Sequence, residues 1–152
     1  RAQRQKASCG VKGTSVLTLL ASFTFCSGFV VDYMHAVCSG FVKATTLIWL
    51  KSRASQGFHL RDRFEEVDGR LLAIRPVWEM SRLPRSLKDV KYWKSADWRN
   101  WLLLYSPVVL SGYIPSRNFK HWLCFVDMMH CMLSDRIALE KLHAIKILML
   151  KF

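Results

Sequence analysis

Apolar side chains recur every three or four residues along much of the chain, a spacing that places them on one face of an α-helix. The clearest run has its apolar residues at helical intervals: Phe64, Val67, Leu71 and Ile74. Arg75-Pro76 then stops the run, because the residue before a proline disfavours the helical conformation. The pattern predicts a helix from Phe58 to Ile74.

An earlier stretch, from Asp32 to about Lys51, carries the same kind of signal. Asp32 is a residue type that caps helix N-termini. The apolar positions behind it are Val37, Phe41, Leu47, Ile48 and Leu50. We expect one helix here, with that apolar set facing the core.

The second half of the chain is divided by residues that begin or end helices. Serines stand at the predicted N-caps, namely Ser95, Ser116 and Ser134. The predicted helices are Ser95–Tyr105, a short one from Pro107 to Gly112, Arg117–Leu133, and one from Asp135 to about Leu150. The packing face of Arg117–Leu133 is expected to be Trp122, Phe125, Val126, Met129 and Leu133. The fold class is therefore mostly α, with five to six helices packed as one helical subdomain.

Residues 13–31 form an uncharged run behind a basic start. The run is similar to a signal peptide or a weak membrane span, but many small and weakly polar residues dilute it. Its β-branched and aromatic residues from Val16 to Val31 are also compatible with a short β element. We expect two regions: an atypical basic and apolar flank at 1–29 and a helical region at 30–152. Since the chain begins with Arg1 and not with Met, we expect it to be a fragment.

Charge points to the class of partner. The 23 Lys and Arg against 11 Asp and Glu leave a net charge of +12, which favours a polyanion such as DNA, RNA or an acidic membrane. The five cysteines are odd in number and include no CxxC pair, so a reducing compartment is expected. Glycine-rich phosphate loops, GxSxG and HExxH are absent from the sequence, and no small-molecule cofactor is expected.

A basic series follows the second predicted helix, with cations three residues apart: Arg82, Arg85, Lys88, Lys91 and Lys94. Tyr92, Trp93 and Trp98 are interleaved with it. Cations bind phosphates and aromatic rings stack on bases, so the combination is typical of nucleic-acid contact. A solvated basic loop with aromatic residues packed beneath it explains the same pattern, and the sequence leaves both readings open.

Two other groups carry candidate chemistry. Asp32 and His35 are three residues apart, and a carboxylate that opens a helix after an apolar stretch is one ligand of a two-metal nuclease site; the alternative is a plain N-cap. The second group is His121, Cys124, His130 and Cys131. One helix cannot surround a zinc ion tetrahedrally, so core or half-buried positions are favoured for that group over a zinc site.

Several blocks in order resemble a known family: VDYMHAVCSGFVK at 31–43, LLAIRP at 71–76, LPRSLKD at 83–89 and KYWKSADWRNWLLLY at 91–105. They are similar to the C-terminal part of animal transposase domain-containing proteins, which resemble CACTA (En/Spm-type) DDE transposases. The resemblance covers about residues 30–135. Residues 1–29 do not match the usual lead-in to DYMH.

The resemblance implies a piece of an RNase H-like transposase that works in the nucleus on DNA with Mg²⁺ or Mn²⁺. Asp32 matches the aspartate of DYMH and is the candidate catalytic and metal-binding carboxylate, with His35 as a candidate catalytic neighbour. Arg99 joins the basic series as an expected DNA contact. The remaining carboxylates would belong to a missing N-terminal part of the transposase, so this chain alone is expected to bind no metal and to be inactive.

Two alternatives remain from the sequence. One is a small membrane-anchored helical protein held through residues 13–31. The other is a domesticated protein-interaction module that uses its tryptophans, since six Trp is a high number for this length and Trp is a common interface anchor.

Overall fold

The computed structural model describes residues 13–22, 24, 28, 31–51, 59–76 and 83–151. The protein is mostly α, as the apolar pattern predicts. The chain divides into two units, Arg1–Asp32 and Tyr33–Phe152.

The described part of the first unit contains one short 3₁₀ turn, Val16–Leu19. The Ser15 hydroxyl caps it by accepting a hydrogen bond from the Leu17 N–H at 3.3 Å. This turn stands where a short β element was considered, and none of the described residues of this unit is in a strand. Among the residues described in either unit, no helix combines the length and the apolar character needed to cross a membrane.

The second unit contains six α-helical segments within its described residues. They are α1 (Lys43–Lys51), α2 (Phe64–Ala73), α3 (Ser95–Asn100), α4 (Ser106–Val109), α5 (Ser116–Met132) and α6 (Leu139–Lys151). A π-helical segment, Met34–Val42, leads directly into α1, and a second one, Trp101–Tyr105, joins α3 to α4. Short 3₁₀ turns at Arg61–Arg63 and Leu87–Tyr92 precede α2 and α3.

Tryptophans form much of the core. The five in the described residues are all buried: Trp49, Trp93, Trp98, Trp101 and Trp122. The Trp101 indole N–H donates to the Thr46 hydroxyl at 3.0 Å, and that of Trp122 donates to the Ser106 hydroxyl at 2.8 Å. These residues pack the helices of this unit against each other, so they offer no aromatic surface to a protein partner.

The three predicted serine caps are wrong. The cap position of α3 is Lys94, and Ser95 instead pairs its hydroxyl with that of Ser39 at 2.6 Å. Ser116 is the first residue of α5, after a cap position held by Pro115. The Ser134 hydroxyl turns back to the Cys131 carbonyl at 2.6 Å and so belongs to the end of α5. For Ser95 a tertiary contact, and for Ser134 a backward hydrogen bond, takes the hydroxyl that a cap would use.

Two predicted helices differ in extent and one differs in orientation. The helix expected from Phe58 begins as α2 at Phe64, after the 3₁₀ turn, and Phe58 lies outside the described residues. The last helix begins at Leu139 and not at Asp135. In the first helix Phe41 and Ile48 are exposed, while the buried positions are Cys38, Val42, Thr46 and Trp49. The wider π-helical turn, in which the Lys43 N–H bonds to the Cys38 carbonyl five residues back, shifts the face that meets the core.

The predicted face of α5 is confirmed. Trp122, Phe125, Val126 and Met129 are buried, and Leu133 is partly buried against them. Gly112, which was expected to end the short helix, lies in the turn after α4 with φ at 81°. This left-handed conformation is one that glycine adopts without the steric cost of a Cβ.

Candidate nucleic-acid interface

The predicted basic series is held against α2 by a buried carboxylate. Asp68 is only 3% exposed. Its Oδ2 accepts the Ser86 hydroxyl at 2.8 Å, and its Oδ1 accepts the Leu87 N–H at 2.6 Å. The Ser86 hydroxyl in turn accepts the Lys88 N–H at 3.1 Å. Asp68 therefore fixes the start of the 3₁₀ turn Leu87–Tyr92 from a neighbouring helix.

A second buried carboxylate fixes the end of the same segment. Asp97 accepts the Lys94 N–H at 2.8 Å, which caps α3 from within its first turn. The Arg85 guanidinium lies 3.6 Å from the Asp97 carboxylate and donates to the Tyr92 carbonyl at 3.3 Å. Arg85 is therefore engaged in holding the segment 83–97 in shape.

Lys88 also has a partner inside the protein. Its ammonium lies 2.8 Å from the Glu65 carboxylate on α2. The hydrogen bond to Glu65 and the charge of Glu65 raise the pKa of Lys88 above its usual value. Both side chains are well exposed, so solvent screens the pair and it adds little to stability.

The remaining cations of the segment face solvent. Lys91, Lys94 and Arg99 are exposed. The side chains of Lys94 and Arg99 form neither a hydrogen bond nor an ion pair with any residue that the structure describes. The Lys91 ammonium lies 4.7 Å from the centre of the Tyr92 ring. We call Lys91, Lys94 and Arg99 the exposed cation set. Arg82, the first member of the predicted series, lies outside the described residues.

The DYMH block and the basic block are in contact within the second unit. The π-helical segment Met34–Val42 packs on α3, where the Ser39 and Ser95 hydroxyls meet. Burial raises the pKa of Cys38, and the Tyr33 side chain and the Arg99 guanidinium oppose that rise. The Arg99 guanidinium is thus close to the DYMH block, although Arg99 is exposed.

The candidate catalytic and metal-binding residues of the DYMH block belong to different units of the chain. Asp32 is exposed at the end of the first unit, and His35 is exposed in the second. No three His, Cys, Asp or Glu side chains among the described residues are grouped so that they could hold a metal ion.

The histidines and cysteines of α5, which were considered as zinc ligands, have different environments in the structure. His130 Nε2 lies 2.8 Å from the Leu103 carbonyl oxygen, in the second π-helical segment. Cys124 and Cys131 are half-buried free thiols.

Comparison of the chain with protein-family models, with curated proteins and with solved structures finds no match. The relationship to CACTA transposases therefore stays a prediction from the sequence blocks.

The structure adds residues that the sequence reading missed. Asp68 and Asp97 hold the basic segment in place. The sequence feature that could have revealed them is an acidic residue on the buried side of an otherwise amphipathic helix. A pocket of about 580 Å³ is lined along the first turns of α5 by Arg117, Asn118, Lys120, His121 and Cys124. Arg117 and Lys120 are exposed there and add positive charge to the surface.

Proposed function

We propose that this chain is a DNA-contacting helical part of a protein derived from a CACTA-like DDE transposase. It binds the phosphate backbone through the exposed cation set, Lys91, Lys94 and Arg99. The parent protein would act in the nucleus with Mg²⁺ or Mn²⁺, and Asp32 would supply one carboxylate to it. This chain alone would not carry out strand transfer.

One observation carries the proposal: Lys91, Lys94 and Arg99 are exposed beside a backbone that two buried carboxylates hold in place, while the exposed Glu65 is paired with Lys88. Asp68 and Asp97 are buried and accept hydrogen bonds from the backbone of the segment. The cations beside them project outward from a backbone that these carboxylates hold in place. A segment that exposes cations while buried carboxylates hold its backbone in place is suited to bind a polyanion.

The expected binding mode is electrostatic and tolerant of sequence. Phosphate contacts from Lys and Arg position a protein on DNA but carry no sequence information directly. Each contact releases condensed counterions, so the logarithm of the affinity falls with the logarithm of the salt concentration by about 0.9 per phosphate neutralised on duplex DNA.

A salt titration with matched variants tests the proposal. Binding of labelled duplex DNA is measured for the chain, for Lys94→Gln and Arg99→Gln, and for Lys88→Gln as the control. Lys94→Gln and Arg99→Gln should each reduce the salt slope by about one. Lys88→Gln removes the same charge from a side chain already bonded to Glu65, so its slope should change much less. A salt-independent affinity, or equal effects of all three variants, would contradict the proposal.

A protein-interaction role is the second candidate, and α6 favours it. Five apolar side chains of this helix are exposed: Leu139, Leu142, Ile147, Met149 and Leu150. Several apolar side chains exposed on one helix are a feature of interaction surfaces. A complex that survives nuclease treatment and is lost in Leu142→Glu, while Lys94→Gln keeps it, would support this candidate over DNA binding.

A further inference from the structure

Tyr92 is an aromatic residue left outside a core that takes in its aromatic neighbours. Its side chain is 59% exposed, while Trp93, the next residue, is 8% exposed. The Trp93 ring lies 4.8 Å from that of Trp98 and 5.9 Å from that of Trp101. No aromatic ring among the described residues contacts Tyr92.

The backbone that carries this ring is fixed on both sides. The Tyr92 carbonyl accepts the Arg85 guanidinium at 3.3 Å, and the Trp93 N–H donates to the Val90 carbonyl at 3.3 Å. The Trp93 indole N–H donates to the Ser86 carbonyl at 3.2 Å. Tyr92 is therefore presented to solvent from an ordered turn, which lowers the entropy that binding would cost.

A cation stands over one face of the ring, and a second is close to it along the chain. The Lys91 ammonium lies 4.7 Å from the ring centre, and Lys94 is exposed two residues further along the chain. A flat ring flanked by cations is the combination that proteins use for unpaired nucleotides, in which bases stack on aromatic rings while Lys or Arg follows the phosphates. In a duplex the base faces are already stacked on each other and are not open to such a ring.

We propose that Tyr92 is a stacking platform for an unpaired base of single-stranded DNA, with Lys91 and Lys94 binding the phosphates on either side of that base. This inference rests on the proposed DNA contact and assigns it a preference: a strand with unpaired bases should gain affinity from Tyr92 that a duplex does not.

The test compares three ligands: two single strands that differ only in their bases, and a duplex. Affinities are measured at one salt concentration for a labelled 12-nucleotide strand, for the same strand with an abasic backbone, and for the matching duplex. The proteins are the full chain, Tyr92→Ala, and Tyr92→Phe, which keeps the ring. Because Tyr92 is exposed, circular dichroism should show unchanged helix content in both variants.

Stacking predicts that Tyr92→Ala weakens binding of the normal strand by about 5- to 150-fold, the range that loss of one base–aromatic stack produces. Binding of the abasic strand and of the duplex should change by less than about twofold, and Tyr92→Phe should stay close to the full chain. Fluorescence of a 2-aminopurine placed in the strand should be quenched by the full chain and by Tyr92→Phe, but not by Tyr92→Ala.

Two outcomes would overturn the inference while leaving DNA binding intact. One is equal loss on the normal strand, the abasic strand and the duplex, which would make Tyr92 a general contact. The other is no loss on the normal strand. If the full chain binds none of the three ligands, the proposed DNA contact fails as well, and the inference fails with it.

Discussion

Replacing Asp68 with alanine should destabilise the protein far more than removing an exposed aspartate does. Asp68 is 3% exposed and accepts two hydrogen bonds, from the Ser86 hydroxyl and from the Leu87 N–H. A hydrogen bond to a charged group contributes about 1.5 to 3 kcal/mol, and a buried donor left without a partner costs a similar amount. Because the two bonds share one carboxylate and do not add fully, we expect a loss of about 3 kcal/mol in the free energy of unfolding.

The assay is urea unfolding followed by circular dichroism. With a denaturant dependence of about 1.5 to 3 kcal/mol per molar urea, the midpoint of Asp68→Ala should fall by about 1 to 2 M. Asp68→Asn keeps an acceptor for the Leu87 N–H and should lose about half as much. The control is Asp127→Ala, which removes an exposed aspartate from α5 and should change stability by less than about 0.5 kcal/mol. Equal midpoints for Asp68→Ala and Asp127→Ala would refute the role given to Asp68.

Three further predictions concern stability. Gly112→Ala should lower the free energy of unfolding by about 1 to 2 kcal/mol, because residue 112 has a φ of 81°. Gly69→Ala should raise it by about 0.5 to 1 kcal/mol, because Gly69 is exposed in the interior of α2 with open space around it. Thermal unfolding of the two variants checks this. Arg70 donates to the Ser111 carbonyl at 2.7 Å and lies 4.4 Å from the Tyr113 ring centre, so Arg70→Ala should lower the urea midpoint more than Arg63→Ala, whose guanidinium lies 5.9 Å from the same ring; equal midpoints would contradict this. Burial raises the pKa of the Cys38 thiol above its usual value of 9.0. The contribution of this thiol to the free energy of unfolding should therefore be fully present below about pH 9 and be lost as pH rises through the higher pKa of the folded state. Unfolding curves taken from about pH 8 to 11 should show a smaller fall in stability for Cys38→Ala.

The helix content and one packing face were predictable from the sequence because they depend on residue periodicity alone. Trp122, Phe125, Val126 and Met129 are far enough apart to define one face of an ordinary α-helix, and they are buried as expected. The same reasoning gave the wrong buried face for the first helix, because the early part of that helix is π-helical. The residues of this helix that reach the core include Cys38 in the π-helical segment and Thr46 in α1, both of which a count of strongly apolar residues passes over.

The residue types of the candidate interface were predictable from the sequence, but the role of each residue was not. Lys and Arg at regular spacing indicate a basic surface, yet only the fold shows that Arg85 and Lys88 bond to Asp97 and Glu65 while Lys94 and Arg99 project to solvent. The partners come from α2 and α3, at distances along the chain that no local pattern reveals. Serine caps failed for a related reason, since the Ser95 hydroxyl meets Ser39 from a distant segment.

The most direct test of the proposed interface is a nuclear magnetic resonance titration of the isotope-labelled chain with a short DNA. The account predicts that backbone amide signals of Lys91, Tyr92, Lys94 and Arg99 shift at low salt and return on adding salt, while those of α6 stay in place. Shifts confined to α6, or no shifts at a DNA excess, would contradict the claim that the exposed cation set is the surface that contacts DNA.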